Sequence, residues 1–176
     1  MTKGVNHPPR TIMEVYEMLP EGTLAELIDG IIYMSPSPVA IHQIVQGNIF
    51  RRLGNHVEET DQGIMIPPPM DVFLDDHSNA VQPDIIFIAK PNLDIIKKKI
   101  RGVPDLVGEV ISPGNTKHDV ERKKNLYERF GVKEYWIIEP ESKTATGFHL
   151  VNQKFEPLPV SVGKLKSILL GCEISF

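Results

Sequence analysis

Two apolar runs in this chain each carry one carboxylate, and that combination limits how the runs can pack. Asp84 opens Ile85-Ile86-Phe87-Ile88 after Gln82-Pro83, and 25 positions later Glu109 lies inside Leu106-Val107-Gly108-Glu109-Val110-Ile111. Such runs read as strands buried on both faces. An ionised carboxylate there carries a large desolvation cost unless a cation or hydrogen-bond donors offset it. Pro83 has no N–H and fixes the entry to its strand, which leaves Asp84 at the strand's mouth, whereas Glu109 is enclosed by apolar neighbours. Taken singly, Asp84 reads as a turn cap and Glu109 as the partner of a nearby Lys or Arg. Taken together, and followed by a basic helix, they read as a metal-binding pair.

At 176 residues and 41% hydrophobic, the chain is long enough for one domain with a substantial core and too short for an independent second one. The expected division is a core over about residues 11–140 and a β extension over 141–176, within one domain spanning 1–176. The single Cys172 excludes an internal disulfide and a multi-cysteine zinc site, and it fits a reducing compartment. No apolar stretch reaches the length of a membrane span, and the first residues carry no hydrophobic signal region. A cytoplasmic protein that makes no membrane contact is therefore expected.

The net charge of −4 argues against a generally basic nucleic-acid coat, but the charge is uneven. Lys90 to Lys133 holds 11 basic and 6 acidic residues, a balance of +5, which leaves −9 for the remainder. Lys97-Lys98-Lys99, Arg101, Lys117, Arg122-Lys123-Lys124 and Arg129 are candidates to attract a phosphate backbone, or else are solvated faces of a loop and a helix.

Along the chain, Thr11-Ile12-Met13-Glu14 has the pattern of a capping box and opens a short helix to about Leu19. Leu24 to Ile28 and Ile31 to Met34 flank Asp29-Gly30, a two-residue hairpin signal. Apolar residues recur at helical spacing from Ala40 to about Glu59. Strands are expected near Gly63–Ile66 and Met70–Leu74, interrupted by Pro67-Pro68-Pro69. Pro91 to Arg101 fits a short helix or an exposed basic loop. A helix runs from Thr116 to Phe130 with Gly131 as its stop, a strand follows over Glu134 to Ile138, and short strands and turns complete the tail. The fold class is α/β, with a mixed sheet flanked by helices, an N-terminal β-hairpin and a small C-terminal β extension.

On the helix after Glu109, Asp119, Lys123 and Tyr127 stand at i, i+4 and i+8 and share nearly one face. Either Asp119 and Lys123 make a surface pair, or Lys123 carries its ammonium to the acids. Trp136 and Tyr135 read as core packing in preference to a base-stacking platform. His56, His77, His118 and His149 lack metal-ligand spacing. Asp105 reads as a strand opener. His42 and Gln43, at the start of the long helix, read first as cap or surface residues and second as contacts to water or phosphate.

With these residues in view, the chain resembles the PD-(D/E)xK restriction-endonuclease-like superfamily, and within it a bacterial family described as putative restriction endonucleases. The resemblance runs from about Thr11 to Pro140. It is carried jointly by Glu26-Leu27-Ile28-Asp29-Gly30, His42-Gln43, Pro83-Asp84-Ile85, Pro104 through Glu109 to Pro113, Asp119 through Lys123 to Tyr127, and Gly131 through Lys133 to Trp136. It implies a restriction-endonuclease-like fold in which Asp84 and Glu109 bind metal on adjacent strands, with Glu26 as a further acid and His42 and Gln43 as additional site residues. The lysine expected two positions after Glu109 is replaced by Ile111. In this family it looks displaced to the following helix, where Lys123 matches and Lys124 is the alternative.

The implied cofactor is Mg²⁺, with Mn²⁺ as a substitute. The implied activity is hydrolysis of phosphodiester bonds, in DNA by preference over RNA, by a chain that pairs as a homodimer. Such hydrolysis builds negative charge on the phosphoryl oxygens and needs an activated water, and a divalent ion held by carboxylates meets both needs. Two other readings stay open: a non-catalytic member that binds nucleic acid or protein, which Ile111 favours, and a hydrolase that uses the same acids on another substrate.

Overall fold

The hairpin at Asp29-Gly30 forms as its residue types require, because both turn residues adopt positive φ, +49° and +79°, a conformation that Asp tolerates and Gly favours. The computed structural model describes residues 8–112 and 117–176 of the chain. In chain order the elements are α1 (Ile12–Glu17), β1 (Ala25–Ile28), β2 (Ile31–Met34), α2 (Ala40–Glu59), β3 (Gly63–Ile66), β4 (Val72–Phe73), β5 (Ala80–Val81) and β6 (Ile85–Ala89). A 3₁₀ turn over Lys90–Ile95 leads to β7 (Ile100–Arg101), β8 (Leu106–Val110), α3 (Lys117–Phe130), β9 (Glu134–Glu139) and β10 (Thr144–Val151). The tail comprises β11 (Lys154–Pro157), β12 (Ser161–Val162), β13 (Lys164–Ser167) and β14 (Cys172–Ser175).

Most boundaries expected from the sequence coincide with these, including both ends of α2 and the positive φ of Gly131 after α3. Of the residues expected to turn into α3, Pro113 to Thr116 lie outside the described residues. Thr11 caps α1 by accepting from the Glu14 N–H at 3.1 Å. The Glu14 carboxylate, however, accepts from the Arg10 N–H at 2.6 Å, so the box closes one residue early, and the helix ends at Glu17. The ambiguous stretch from Pro91 to Arg101 proves to be neither a regular helix nor a bare loop: it is a 3₁₀ turn followed by β7, which pairs in parallel with β4.

The strands form a seven-stranded sheet, β11-β10-β9-β8-β6-β3 with β12 added on β10, a five-stranded sheet, β2-β1-β5-β4-β7, and the separate β13-β14 hairpin. Pro67-Pro68-Pro69 marks the passage from β3 in one sheet to β4 in the other, where residues without an N–H leave no ladder position unfilled. In the large sheet β8 and β9 are parallel and the other pairs antiparallel, so the sheet is mixed. Val45, Ile49, Leu53 and Val57 of α2 pack with Ile85, Phe87, Leu106, Val110 and Trp136. Leu126 and Tyr127 of α3 pack with Ile86, Ile88, Val107 and Tyr135. Alternate residues of β6 and β8 thus serve opposite cores, which is why both runs are continuously apolar. The residues after 141 are integral to this packing: β10 lies beside β9, and Leu165, Leu170, Ile174 and Phe176 join the core under α2. No described helix is long and apolar enough to cross a membrane.

Gly147 pairs with Trp136 across β10 and β9, and a Cβ there would meet the indole ring at 2.6 Å. The indole is held in turn by its N–H donating to Glu134 Oε1 at 2.7 Å. Gly147→Ala should therefore destabilise the fold by about 1–3 kcal/mol, the cost of overpacking a filled core. The measurement is a lowered urea midpoint at unchanged slope.

Candidate active site

Asp84 and Glu109 are brought together by strand register. β6 and β8 are antiparallel with Ile86 opposite Val107 and Ile85 opposite Gly108, so the next step sets Asp84 opposite Glu109 where the ladder ends. Glu109 continues the alternation of Val107 and meets Lys123 and Tyr127 of α3, whereas Asp84, just outside β6, meets His42 of α2. The Val110 N–H donates to Asp84 Oδ2 at 2.8 Å, which ties the end of one strand to the other.

Glu109 is buried and fully engaged: the Tyr127 hydroxyl donates to Oε1 at 2.6 Å, and Lys123 Nζ lies 2.9 Å from Oε2. The same ammonium is 2.9 Å from Glu26 Oε2, and Glu26 Oε1 accepts from the Gln82 N–H at 3.0 Å. Glu26 reaches this point because β1 pairs with β5, two residues before Gln82. The surface pair of Asp119 with Lys123 does not form; Asp119 pairs with Arg122, and Lys123 turns to the acids. Glu109 thus has the basic partner that the simplest sequence reading gave it, within a group of three acids.

Burial pushes the Glu109 carboxyl up; the Lys123 ammonium opposes this, and Glu26 and Asp84 add to it, with a net rise from 4.5 to about 7. Burial works against the charge of Lys123, but Glu109 and Glu26 outweigh it and hold the ammonium protonated. Between pH 4.5 and about 7 the folded chain therefore binds a proton that the unfolded chain has lost, and this contribution to stability declines as pH rises through that window. Glu109→Gln makes the side chain permanently neutral. In metal-free buffer at pH 8 the variant should melt above the wild type, and the gain should shrink as pH falls toward 5. Calorimetry across this range checks it, and a variant less stable at pH 8 would mean that pairing with Lys123 outweighs crowding of the acids.

His42 corrects the sequence reading. It is not a surface cap: it is buried on α2, with Nε2 3.1 Å from Asp84 Oδ2. Burial lowers its pKa, but the hydrogen bond and charge of Asp84 more than compensate, and the net shift is upward. Gln46, one turn later, donates to the Asp84 carbonyl at 3.3 Å and was not anticipated. The signal was present, since positions 42 and 46 fall on the buried stripe of Val45, Ile49 and Leu53. Gln43 is exposed and lines the cleft above the acids. Lys124 is not brought to them: its Nζ sits 4.8 Å over the Phe148 ring and 3.9 Å from Glu121.

These groups line a cleft of about 760 Å³ that includes Glu26, His42, Gln43, Asp84, Glu109 and Lys123. Among the described residues no three His, Cys, Asp or Glu side chains gather as a ready-made metal cluster. Several cations of the basic stretch are committed elsewhere: Lys99 to Asp71, Arg101 to Glu17 and Asp76, and Arg129 to Asp29. Asp105 does more than open its strand. It is buried and accepts from the Ala89 N–H at 2.8 Å and from Asn92 at 2.7 Å, and it pairs with Lys133 at 2.7 Å, locking the start of β8 to its neighbours.

Residues 13–174 match the family model Uma2, described as a putative restriction endonuclease. The crystal structure of a putative nuclease belonging to DUF820 from Anabaena variabilis ATCC 29413 is similar at a TM-score of 0.76 and 18% identity, over 95% of this chain and 95% of that one. At that identity the likeness establishes the shared fold. No curated protein matches the chain.

Proposed function

The chain belongs to the Uma2 family of putative restriction endonucleases, and from that premise we propose that it is a divalent-metal-dependent nuclease that hydrolyses phosphodiester bonds, with DNA as its substrate. The observation that carries the reading is the direct opposition of Asp84 and Glu109 at the end of the β6–β8 ladder, with the Lys123 ammonium 2.9 Å from Glu109.

The donor set fits a hard cation. Glu26, Asp84 and Glu109 together offer more negative charge than Lys123 neutralises, and Asp84 Oδ1 accepts no hydrogen bond from a described residue. Two protein carboxylates, with water and substrate completing the shell, match the habit of Mg²⁺. Asp84 and Glu109 would hold the ion, which when bound supplies charge stabilisation at the phosphoryl group and a more acidic water. Tyr127 fixes the Glu109 carboxylate, while His42 and the Val110 N–H fix that of Asp84. Lys123, held charged by Glu109 and Glu26 against the effect of burial, orients the attacking water or stabilises the charge that develops on the phosphoryl oxygens. It does so from α3, in the role left open by Ile111.

The test is incubation of the purified chain with duplex DNA, single-stranded DNA and RNA, with Mg²⁺, with Mn²⁺ and with chelator. Cleavage of DNA that requires the ion is expected. One observation favours the non-catalytic alternative: Lys123 already closes Glu109 and Glu26 into an ion-paired cluster. Binding of Mn²⁺ and DNA with no cleavage of any substrate would select that alternative.

A further inference from the structure

Four buried side-chain nitrogen or oxygen atoms have no hydrogen-bond partner among the described residues, and three of them, His42 Nδ1, Arg122 Nε and the Tyr135 hydroxyl, belong to residues that line the cleft. An unpaired buried polar atom is costly, and because all three residues line one cavity, a group bound there is what would pair with them. The role of a histidine nitrogen depends on its tautomer, but the other two atoms are donors. An arginine Nε–H has no lone pair to offer. Burial first, and then the charges of Glu109, Glu26 and Asp84, keep the Tyr135 phenol protonated.

Tyr135 is fully buried and stands opposite Val107 on the parallel β8–β9 pair, so its side chain leaves the sheet on the face that carries Glu109. Its ring lies 5.0 Å from that of Tyr127, whose hydroxyl reaches Glu109. Phe148 and Phe155 stack on it at 6.1 and 6.0 Å, so phenylalanine would fill the same volume and the hydroxyl adds nothing to the packing. Arg122, one residue before Lys123, stacks its guanidinium 4.1 Å over Tyr33 and pairs with Asp119 through Nη2, which fixes the side chain in the cleft wall.

We infer that Tyr135 and Arg122 form an anion subsite beside Lys123 that donates hydrogen bonds to the non-bridging oxygens of a phosphate group. The identity of that group as a nucleic-acid phosphodiester rests on the nuclease reading; the subsite itself does not. Arg122 and Lys123 are already paired, with Asp119 and with Glu109 and Glu26, so the anion is held by the hydrogen bonds these groups donate and not by a net positive charge. Tyr135, which reads from the sequence as core packing alone, thereby becomes a ligand contact at the base of the cleft.

The test compares the wild type with Tyr135→Phe and with Arg122→Lys, which keeps the charge and removes Nε. Three quantities are read: melting in metal-free buffer, calorimetric binding of inorganic phosphate, and cleavage of DNA with Mg²⁺. Tyr135→Phe should melt at or above the wild type, because an unpaired buried hydroxyl is gone. Both variants should bind phosphate about tenfold more weakly, the scale of one charge-assisted hydrogen bond. If the wild type binds phosphate through these residues but cuts no nucleic acid, the subsite stands and the nuclease reading falls. If the wild type cuts DNA and both variants match it in rate, KM and phosphate affinity, the subsite is overturned and the nuclease reading stands. A wild type that binds no phosphate, or a Tyr135→Phe variant that melts well below it, overturns the inference as well.

Discussion

Alanine at either Asp84 or Glu109 is expected to reduce Mg²⁺-dependent DNA cleavage by at least about 10³-fold. Losing the ion removes more than one fixed source of charge stabilisation, and a single such donor is worth about 10²–10³. The Asp84 Oδ2 bonds to the Val110 N–H and His42, and the Glu109 bonds to Tyr127 and Lys123, also hold local structure. The isosteres Asp84→Asn and Glu109→Gln are therefore assayed alongside and should be equally inactive while folded. A second readout separates metal loss from misfolding. A ligand bound only to the folded state at 100 times its Kd adds about 2.7 kcal/mol of stability. The wild type should show a Mn²⁺-dependent rise in melting temperature that both isosteres lack. Cleavage at the wild-type rate by either isostere would remove that residue from the site.

Lys123→Ala should lower the cleavage rate at least about tenfold, the lower end of what one lost transition-state contact costs, while leaving metal affinity intact. It should also destabilise the chain. The Lys123, Glu109 and Glu26 side chains are only 18%, 10% and 9% exposed, so removing the cation leaves two buried acids unpaired. Breaking a buried pair in this way costs about 3–5 kcal/mol, and the loss should lessen toward pH 5 as Glu109 takes up a proton. Lys124→Ala should cut at the wild-type rate, since its ammonium lies over Phe148. The reverse pattern, an active Lys123→Ala and an inactive Lys124→Ala, would mean that the displaced lysine comes from the other position.

The elements whose period or turn chemistry is local were legible in the sequence. Ala40–Glu59 follows from its apolar spacing, the first hairpin from Asp29-Gly30, and the end of α3 from Gly131. The placement of Asp84 and Glu109 on adjacent strands followed from the resemblance, and the partners that their burial demands are His42 and the Val110 N–H for Asp84 and Tyr127 and Lys123 for Glu109. What stayed hidden depends on contacts between segments far apart in the chain. His42 and Gln46 interrupt an apolar stripe, but only the packing of α2 on the sheet shows that they meet Asp84. Asp119 was as good a partner for Lys123 as any until the fold brought Glu26, 97 residues away, to the same ammonium. Asp105 joins the beginnings of two strands, which no single segment reveals.

The most direct test of the central claim, that Asp84 and Glu109 hold a catalytic cation, is a crystal of the wild-type chain soaked in Mn²⁺ and examined for anomalous density. A single strong peak between the two carboxylates is expected, and it should be absent from Asp84→Asn crystals treated identically. A wild-type crystal with no peak there, from a preparation that cleaves DNA in the same Mn²⁺ buffer, would contradict it.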